Sequence, residues 1–320
     1  MKTILPLVLL IFSFGNIQAL TQTEHGTFLK DISKFTLQND IKCSSTSSIE
    51  PTPLQQPLHL SIRNNQKHLK YCYGNDQKKG RYITCNNTKI YCEIYGEGEP
   101  LLLLHGNGQS ISTFSEQIPE YAKHFKVIAV DTRGQGKSID KVSKRFSYDQ
   151  FAEDMKALLD TLNLKRVHLV GWSDGGNTGL ILAMKYPQYV KSLITMGANL
   201  NSSTSAVSHE VVEYIKNEIE KLKGKGDKAN TAIIKLLKMM LVEPNIDPVE
   251  LKNIKAKTLV LAGEKDIILE QHTQLIANSI PNARINIVEN ETHFLPTENP
   301  KRFNQIVLDF LLNKNNSQTK

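Results

Sequence analysis

The chain has 320 residues, which is enough to bury one large hydrophobic core together with an insertion. Hydrophobic residues make up 40% and charged residues 22% of it, the composition of a soluble globular protein and not of a fibrous or disordered one. Lysine and arginine outnumber aspartate and glutamate by 39 to 32, but they form no arginine-rich stripe interleaved with aromatic residues. We therefore expect no nucleic-acid partner.

Residues 1–19 have the pattern of a secretory signal peptide. Lys2 precedes an apolar stretch over residues 4–14, and the small residue Ala19 marks the predicted cleavage site. The apolar stretch is short for a bilayer span and Pro6 interrupts it, so we expect no stable membrane insertion after cleavage. The mature protein is predicted to be exported, either to a periplasm or out of the cell.

Residues 20–80 form a low-complexity extension, rich in Ser, Thr, Gln, Asn and Lys, that is predicted to be either partly disordered or tied down by disulfides. In an exported protein an even number of cysteines permits disulfides, and four cysteines allow three pairings. Cys85 and Cys92 flank a predicted hairpin turn out of register, which favours a Cys72–Cys85 bond. The cysteine spacing fits no zinc site, and no metal is expected. The four cysteines are Cys43, Cys72, Cys85 and Cys92.

From residue 81 onward, predicted strands alternate with predicted helices. Continuous apolar runs are typical of strands that are covered on both faces of a sheet. The first helix has apolar residues on one face, and Ser147 and Gln150 fit a capping box at its start. The elements predicted here are a hairpin (81–84 and 90–95), two strands (101–104 and 126–130) and a helix (147–162).

The sequence Gly-Trp-Ser-Asp-Gly-Gly at residues 171–176 lies between a predicted strand, 167–170, and a predicted helix, 177–186. This is the G-x-S-x-G pattern, which forces a serine onto a tight strand-to-helix turn. Glycines are needed two positions before and after the serine because side chains there would collide with neighbouring backbone. The turn exposes the Ser173 hydroxyl and aims the helix N-terminus at negative charge beside it. Ser173 is the candidate nucleophile.

Residues 200–256 interrupt the alternation of strands and helices. Two amphipathic stretches, 209–222 and 230–241, are predicted to form a helical lid over the carboxyl ends of the strands. Strands are predicted before the lid at 191–196 and after it at 258–262 and 284–288, with helices at 270–279 and near the C-terminus. We thus predict an α/β core at 81–199 and 257–313, a lid at 200–256 and a polar tail at 314–320.

A serine hydroxyl needs a base, and a histidine base needs an acid that fixes its tautomer. Asp266 follows the predicted strand 258–262, and His293 follows the strand 284–288, so both belong to the sheet edge that carries Ser173. We predict Asp266 as the acid and His293 as the base. The competing candidates are weaker: Glu264 for the acid, His209 and His272 as solvated side chains, and His168 as a core residue.

An oxyanion that develops on the substrate needs backbone donors already in place. The N–H of Asp174, one residue after the nucleophile, is one predicted donor. The second is predicted in the His-Gly-Asn-Gly sequence at 105–108, through the N–H of Asn107, because this loop directly follows strand 101–104. His105 itself is predicted to pack beneath the loop.

These motifs, in this order, resemble those of the α/β-hydrolase superfamily. The resemblance spans residues 81–312 and implies an α/β-hydrolase fold, a mostly parallel sheet flanked by helices. Residues 171–176, followed by Lys-Tyr-Pro at 185–187 and Met-Gly-Ala-Asn at 196–199, are similar to the valacyclovir hydrolase (biphenyl hydrolase-like) branch. In that branch the aspartate after the serine holds the α-amino group of amino-acid esters. For Asp174 this implies substrate binding, while the alternative is a negative charge at the helix N-terminus. Trp172 is also predicted to contact substrate.

The sequence therefore predicts a serine hydrolase that cleaves small carboxylic esters through an acyl-enzyme intermediate, with no cofactor. A serine nucleophile argues against dehalogenase and epoxide hydrolase chemistry, which uses an aspartate. The alternatives are a C–C bond hydrolase, a cofactor-free perhydrolase, or a ligand-binding protein of the same fold without activity.

Overall fold

The computed structural model describes residues 72–224 and 230–313. The predicted signal peptide (1–19), most of the extension (20–80) and the polar tail (314–320) lie outside the described residues, and those assignments stay predictions. No helix in the described part of the chain combines the length and apolar character needed to cross a membrane.

Within the described residues one sheet of eight strands forms the centre of the fold. The strands are β1 (Gly80–Cys85), β2 (Thr88–Tyr95), β3 (Glu99–Leu104), β4 (Phe125–Val130), β5 (Val167–Trp172), β6 (Val190–Met196), β7 (Lys257–Lys265) and β8 (Ala283–Thr292). Their order across the sheet is β1-β2-β4-β3-β5-β6-β7-β8. β2 is antiparallel to both β1 and β4, and all neighbours from β4 to β8 are parallel. The predicted mostly parallel sheet is confirmed.

The central strands are mostly buried because helices cover both faces of the sheet. The four leucines of β3, from Leu101 to Leu104, are 0% exposed, and every residue of β5 is buried. A parallel sheet of this kind places all its carboxyl strand ends at one edge, where loops can present side chains to a ligand.

The helices pack on the two faces of the sheet and above its carboxyl edge. They are α1 (Ile118–Tyr121), α2 (Tyr148–Thr161), α3 (Asp174–Lys185), α4 (His209–Gly224), α5 (Asn230–Val242), α6 (Glu270–Ser279), α7 (Leu295–Glu298) and α8 (Pro300–Leu311). Short 3₁₀ turns lie at Ile111–Phe114, Pro187–Tyr189 and Pro248–Asn253. The two helices predicted for the lid, 209–222 and 230–241, correspond to α4 and α5.

The N-terminus of α2 forms half of the predicted capping box. The Ser147 side chain accepts from the N–H of Gln150 at 3.1 Å, as an N-cap does. The reciprocal bond is missing: Gln150 Oε1 has no hydrogen-bond partner among the described residues, while Gln150 Nε2 donates to Ser143 Oγ at 3.2 Å. The prediction of a complete capping box is therefore wrong in its second half.

Hydrogen bonds tie the segment before α4 to the loop after β7. Ser208 N donates to Ile267 O at 3.1 Å, and Leu269 N donates to Ala206 O at 2.9 Å. Because that loop leaves the carboxyl end of β7, the segment that leads into α4 and α5 lies at the edge where the candidate site residues emerge.

The predicted Cys72–Cys85 disulfide is wrong. Cys85 and Cys92 are free thiols, and both are buried in the hydrophobic core. Cys85 is the last residue of β1 and lies on the core-facing side with Ile83, while Tyr82 and Thr84 point outward. Cys72 is disulfide-bonded, and the remaining cysteine, Cys43, lies outside the described residues. Burial raises the pKa of the Cys85 thiol to about 12, so this thiol is unreactive.

Candidate active site

Ser173 lies on a strained turn between β5 and α3. Its backbone has φ +54° and ψ −116°, a conformation that non-glycine residues rarely adopt. Its N–H donates to Met196 O at 2.7 Å and so ties the turn to the end of β6. A side chain at Gly171 would collide with the Gly175 backbone, and one at Gly175 would collide with Leu104 O. The two glycines are present for the steric reason that the sequence motif predicts.

Asp266 and His293 form a hydrogen-bonded pair at the carboxyl ends of β7 and β8. Lys265 and Thr292 are partners in the sheet, so the next residue on each strand is placed beside its counterpart. His293 Nδ1 lies 2.7 Å from Asp266 Oδ1, and both side chains are buried. The N–H of Ile268 also donates to Asp266 Oδ1, at 3.0 Å. The carboxylate is thus held in place, and the imidazole Nε2 remains available for a proton.

Two contacts bring the imidazole of His293 to the serine turn. The Trp172 indole N–H donates to His293 O at 2.9 Å. A Cβ atom placed on Gly197, the residue after Met196, would lie 2.5 Å from the His293 ring. Among the described residues Ser173 Oγ forms no hydrogen bond with His293. Such bonds are often long in the absence of substrate and shorten when it binds.

The loop after β3 packs directly against the serine turn. A Cβ atom on Gly106 would lie 3.3 Å from Ser173 Cβ, and the Asn107 side chain donates to Asp174 Oδ2 at 2.8 Å. The backbone N–H groups of Asn107 and Asp174 have no acceptor in residues 72–224 or 230–313. The two predicted oxyanion donors therefore lie on adjoining segments beside Ser173, with their N–H groups free for a ligand.

Asp174 is buried and accepts two hydrogen bonds, one from Asn107 and one from the Tyr148 hydroxyl at 2.7 Å. Both donors come from outside α3. The carboxylate therefore joins α3 to the loop after β3 and to α2, and is not only a negative charge at the N-terminus of α3. Burial raises the pKa of the Asp174 carboxyl to about 6, although the two hydrogen bonds and the His293 side chain oppose the shift.

A small cleft lies between the serine turn and the lid helices. Among the residues that the structure describes, its walls contain two carboxyl groups, from Asp174 and the half-buried Glu243, but no lysine, arginine or histidine. The other lining residues are Tyr148, Ser173, Asn199, Ser202, Val207, Val211, Val212, Ile215, Met240, Ile267 and Ile268. The cleft is thus largely apolar, with one carboxyl group beside Ser173 and a second at the end of α5.

Tyr148 and Glu243 line the cleft, and sequence reasoning did not find either of them as a site residue. Glu243 Oε2 accepts from the N–H of Tyr148 at 2.9 Å, which joins the end of α5 to the start of α2. These contacts link positions 95 residues apart, and no local pattern in the sequence marks them.

Trp172 does not line the cleft, which corrects its predicted role in substrate contact. Its side chain is 1% exposed, and its ring packs at right angles to Phe294 with centroids 5.8 Å apart. The residue before the nucleophile is thus part of the packing beneath the site, where it positions the loop that carries His293.

The other histidines and Glu264 take structural or surface positions. His168 is buried and bonded to Ser192 and Glu99, as predicted. His272 is also buried and accepts from the N–H of Leu200 at 2.9 Å, so its predicted solvation is wrong. Glu264 is exposed and accepts from the N–H of Asn290, away from His293. Within the described ranges no cluster of three or more His, Cys, Asp or Glu side chains is placed to hold a metal ion.

His105 is expected to make the protein sensitive to acid. Burial lowers the pKa of its imidazole to about 4 from an ordinary value of 6.5. Between these values the unfolded chain binds a proton that the folded chain does not, so stability falls as the pH drops from about 6.5 to 4. Near pH 5 this residue contributes a slope of about 1.2 kcal/mol per pH unit to the free energy of unfolding.

Urea unfolding at pH 4.5, 5.0 and 5.5 measures that slope. The buried Asp131 and Asp174 carboxyls have pKa values raised to about 6 and contribute slopes of opposite sign, so His105→Gln must be compared with the unsubstituted protein. The slope is expected to drop in His105→Gln and to stay the same in His209→Gln, a change at an exposed histidine. An equal slope in all three proteins would contradict the prediction.

The fold and this site define the class of the protein, and the known proteins that it resembles agree. A model of the alpha/beta hydrolase fold family matches residues 99–222. The chain is 31% identical over 248 residues to the serine hydrolase BPHL of Mus musculus. The matched region is 72% of this chain and 85% of that relative. The chain therefore belongs to the alpha/beta hydrolase family.

Two further relatives indicate the range of chemistry in the family. A 2-hydroxy-6-oxononadienedioate/2-hydroxy-6-oxononatrienedioate hydrolase of Comamonas testosteroni is 28% identical over 283 residues, which are 75% of this chain and 98% of that enzyme. The solved structure of carboxylesterase CesB of Bacillus subtilis superposes with a TM-score of 0.61 at 24% identity, over 73% of this chain and 91% of that chain. The second likeness concerns the fold alone.

Proposed function

We propose that this chain is a serine hydrolase that cleaves small carboxylic esters through an acyl-enzyme intermediate. The observation that carries the proposal is the 2.7 Å contact between Asp266 and His293, placed against the strained turn of Ser173. A buried carboxylate–imidazole pair beside a half-buried serine on a strained turn is the arrangement that activates a serine hydroxyl.

In the proposed reaction Ser173 Oγ attacks the ester carbonyl carbon while His293 Nε2 takes the hydroxyl proton. Asp266 holds the proton on Nδ1 and stabilises the charged imidazole. The N–H groups of Asn107 and Asp174 donate to the carbonyl oxygen as it becomes negative. His293 then gives its proton to the departing alcohol. A water molecule, deprotonated by the same imidazole, releases the acid and restores Ser173.

The chemistry of the cleft favours esters over dianionic substrates. One relative is named for hydrolysis of a dienedioate, a molecule with two carboxylates. A pocket for such a molecule needs cationic side chains, but the described part of the cleft carries the carboxyl groups of Asp174 and Glu243 and no cationic side chain. Because like charges repel in a site of low polarity, neutral or cationic acyl groups suit this cleft better. The second candidate function is C–C bond hydrolysis, and the sequence similarity to that hydrolase is the observation behind it.

A panel of nitrophenyl esters with acyl groups of equal length separates these functions. We expect hydrolysis of esters whose acyl group is neutral or carries an α-amino group. Esters whose acyl group ends in a carboxylate are expected to be hydrolysed at least tenfold more slowly. If Asp174 holds an amine, Asp174→Asn lowers kcat/KM for the aminoacyl ester more than for its plain acyl counterpart. Turnover of a dienedioate substrate with no hydrolysis of any ester would contradict the proposal.

Gly197→Ala is expected to damage the site without touching the nucleophile. Gly197 has φ +63°, and a methyl group there would lie 2.5 Å from Cε1 and Nδ1 of His293. Strain and displacement of the imidazole are expected to lower kcat about 100-fold and the free energy of unfolding by about 1–3 kcal/mol. The control is Gly224→Ala at the end of α4, where an added methyl group meets no atom of the described residues within 4 Å. Equal kcat values for the two variants would show that Gly197 does not position His293.

A further inference from the structure

The side chain of Asp174 lies between the two backbone segments that present the oxyanion donors. Its Oδ2 accepts from Asn107 Nδ2 at 2.8 Å, and its Oδ1 accepts from the Tyr148 hydroxyl at 2.7 Å. All three side chains are buried. The residue whose N–H is one proposed donor is therefore hydrogen-bonded, side chain to side chain, to the residue whose N–H is the other.

Three contacts in succession join the loop after β3 to the serine turn. Leu104 O lies against Gly175, and Gly106 lies against Ser173. Both are close approaches of backbone that exclude side chains but give no directional bond. The bond between Asn107 and Asp174 is the directional contact of the three, so it fixes the position of one segment along the other.

A carboxylate suits this position because it offers two equivalent acceptor oxygens. One oxygen holds Asn107 and the other holds Tyr148, so neither donor competes for the other's acceptor. Tyr148 is itself held from the lid side, since its N–H donates to Glu243. The carboxylate thus joins the loop after β3 to α2 and, through Glu243, to the end of α5.

We propose that the Asp174 carboxylate is a positioning residue, which sets the separation of the Asn107 and Asp174 N–H donors through its hydrogen bond to the Asn107 side chain. The inference rests on the proposed function, since it concerns the oxyanion site of that reaction. It differs from amine binding by Asp174, because it predicts an effect on substrates that carry no amine. Donors of this kind act only when held within about 0.5 Å of their place, and an oxyanion donor that is lost costs about 100-fold or more in kcat.

The amide variant separates charge from positioning. Asn107 Oδ1 is buried and has no partner within the described residues. In Asp174→Asn the new amide keeps one oxygen for Tyr148, and its NH₂ group can donate to Asn107 Oδ1 after the Asn107 amide turns over. The link between the two donor segments is then kept although the charge is lost. Asp174→Ala removes both.

The experiment measures kcat and KM of the full chain on a neutral nitrophenyl ester for Asp174→Ala, Asp174→Asn, Asn107→Ala and Tyr148→Phe. We expect kcat to fall about 100-fold in Asp174→Ala and Asn107→Ala with KM changed less than threefold. The kcat of Asp174→Asn should be at least tenfold higher than that of Asp174→Ala. Tyr148→Phe, which removes only one hydroxyl, should lower kcat a few-fold and tests the link if the alanine variants do not fold. Asp149→Asn, an exposed acid next to Tyr148, is the control with unchanged kinetics.

A trifluoromethyl ketone forms a tetrahedral oxyanion on the serine. Its inhibition constant therefore reports the oxyanion site, and a loss of protein stability alone does not change it. Its inhibition constant should rise in proportion to the loss of kcat across the variants. Folded alanine variants with the original kcat, or an Asp174→Asn variant as impaired as Asp174→Ala, would overturn the inference alone. An unsubstituted protein that neither hydrolyses esters nor reacts with a fluorophosphonate would overturn the proposed function and the inference with it.

Discussion

Ser173→Ala is expected to reduce ester hydrolysis by at least about 10⁴-fold in kcat, because the reaction then lacks the group that forms the acyl-enzyme. The substitution removes one oxygen from a half-buried side chain whose hydroxyl makes no hydrogen bond among the described residues, so stability should change little. The measurement is the steady-state hydrolysis of a short-chain nitrophenyl ester, together with the thermal unfolding midpoint.

The matched control for this variant is Ser205→Ala, which removes the hydroxyl of an exposed serine outside the cleft. Its kcat is expected to equal that of the unsubstituted protein. Turnover that survives Ser173→Ala at more than a few per cent would mean that another group attacks the ester, and the proposed mechanism would have to be abandoned.

Asp266→Asn is expected to lower kcat by about 10⁴-fold with little change in KM, because the amide NH₂ can face the imidazole and favour the tautomer with its proton on Nε2. In that tautomer the nitrogen next to the serine is a donor and cannot take the hydroxyl proton. The shape of the side chain is kept, so the loss reports proton position and not packing.

Glu264→Gln is the control for Asp266→Asn, and it also tests the rival acid. Glu264 lies two residues earlier at the end of β7, is exposed, and accepts from the N–H of Asn290. We expect its kcat to stay within about threefold of the original. If Glu264→Gln loses more activity than Asp266→Asn, the acid has been assigned to the wrong side chain.

The parts of the fold and site that the sequence predicted depend on local patterns or on strand ends. The serine turn follows from two glycines at fixed distances from Ser173. The Asp266–His293 contact follows because parallel strands end at one edge, which brings the residue after each strand near its neighbour. In both cases a short stretch of sequence determines where the side chain goes.

The parts that the sequence missed depend on contacts between distant residues. His272 lies in a helix as predicted, but its burial depends on a bond to Leu200, 72 residues away. The cysteine pairing failed because Cys85 faces the core of the folded protein, which sequence spacing does not reveal. Trp172 was predicted to contact substrate, whereas its ring is buried against Phe294, 122 residues later in the chain.

Labelling of the folded protein with a fluorophosphonate, followed by mass mapping of the modified peptide, tests the central claim most directly. The reagent reacts with a serine only where a base and an oxyanion site activate it, so it reports the assembled site without knowledge of the natural substrate. We expect a single adduct on Ser173 in the native chain, and none after denaturation or in His293→Ala. A folded chain that takes up no reagent, or takes it up at another residue, would contradict the account of Ser173, His293 and Asp266 as one catalytic unit.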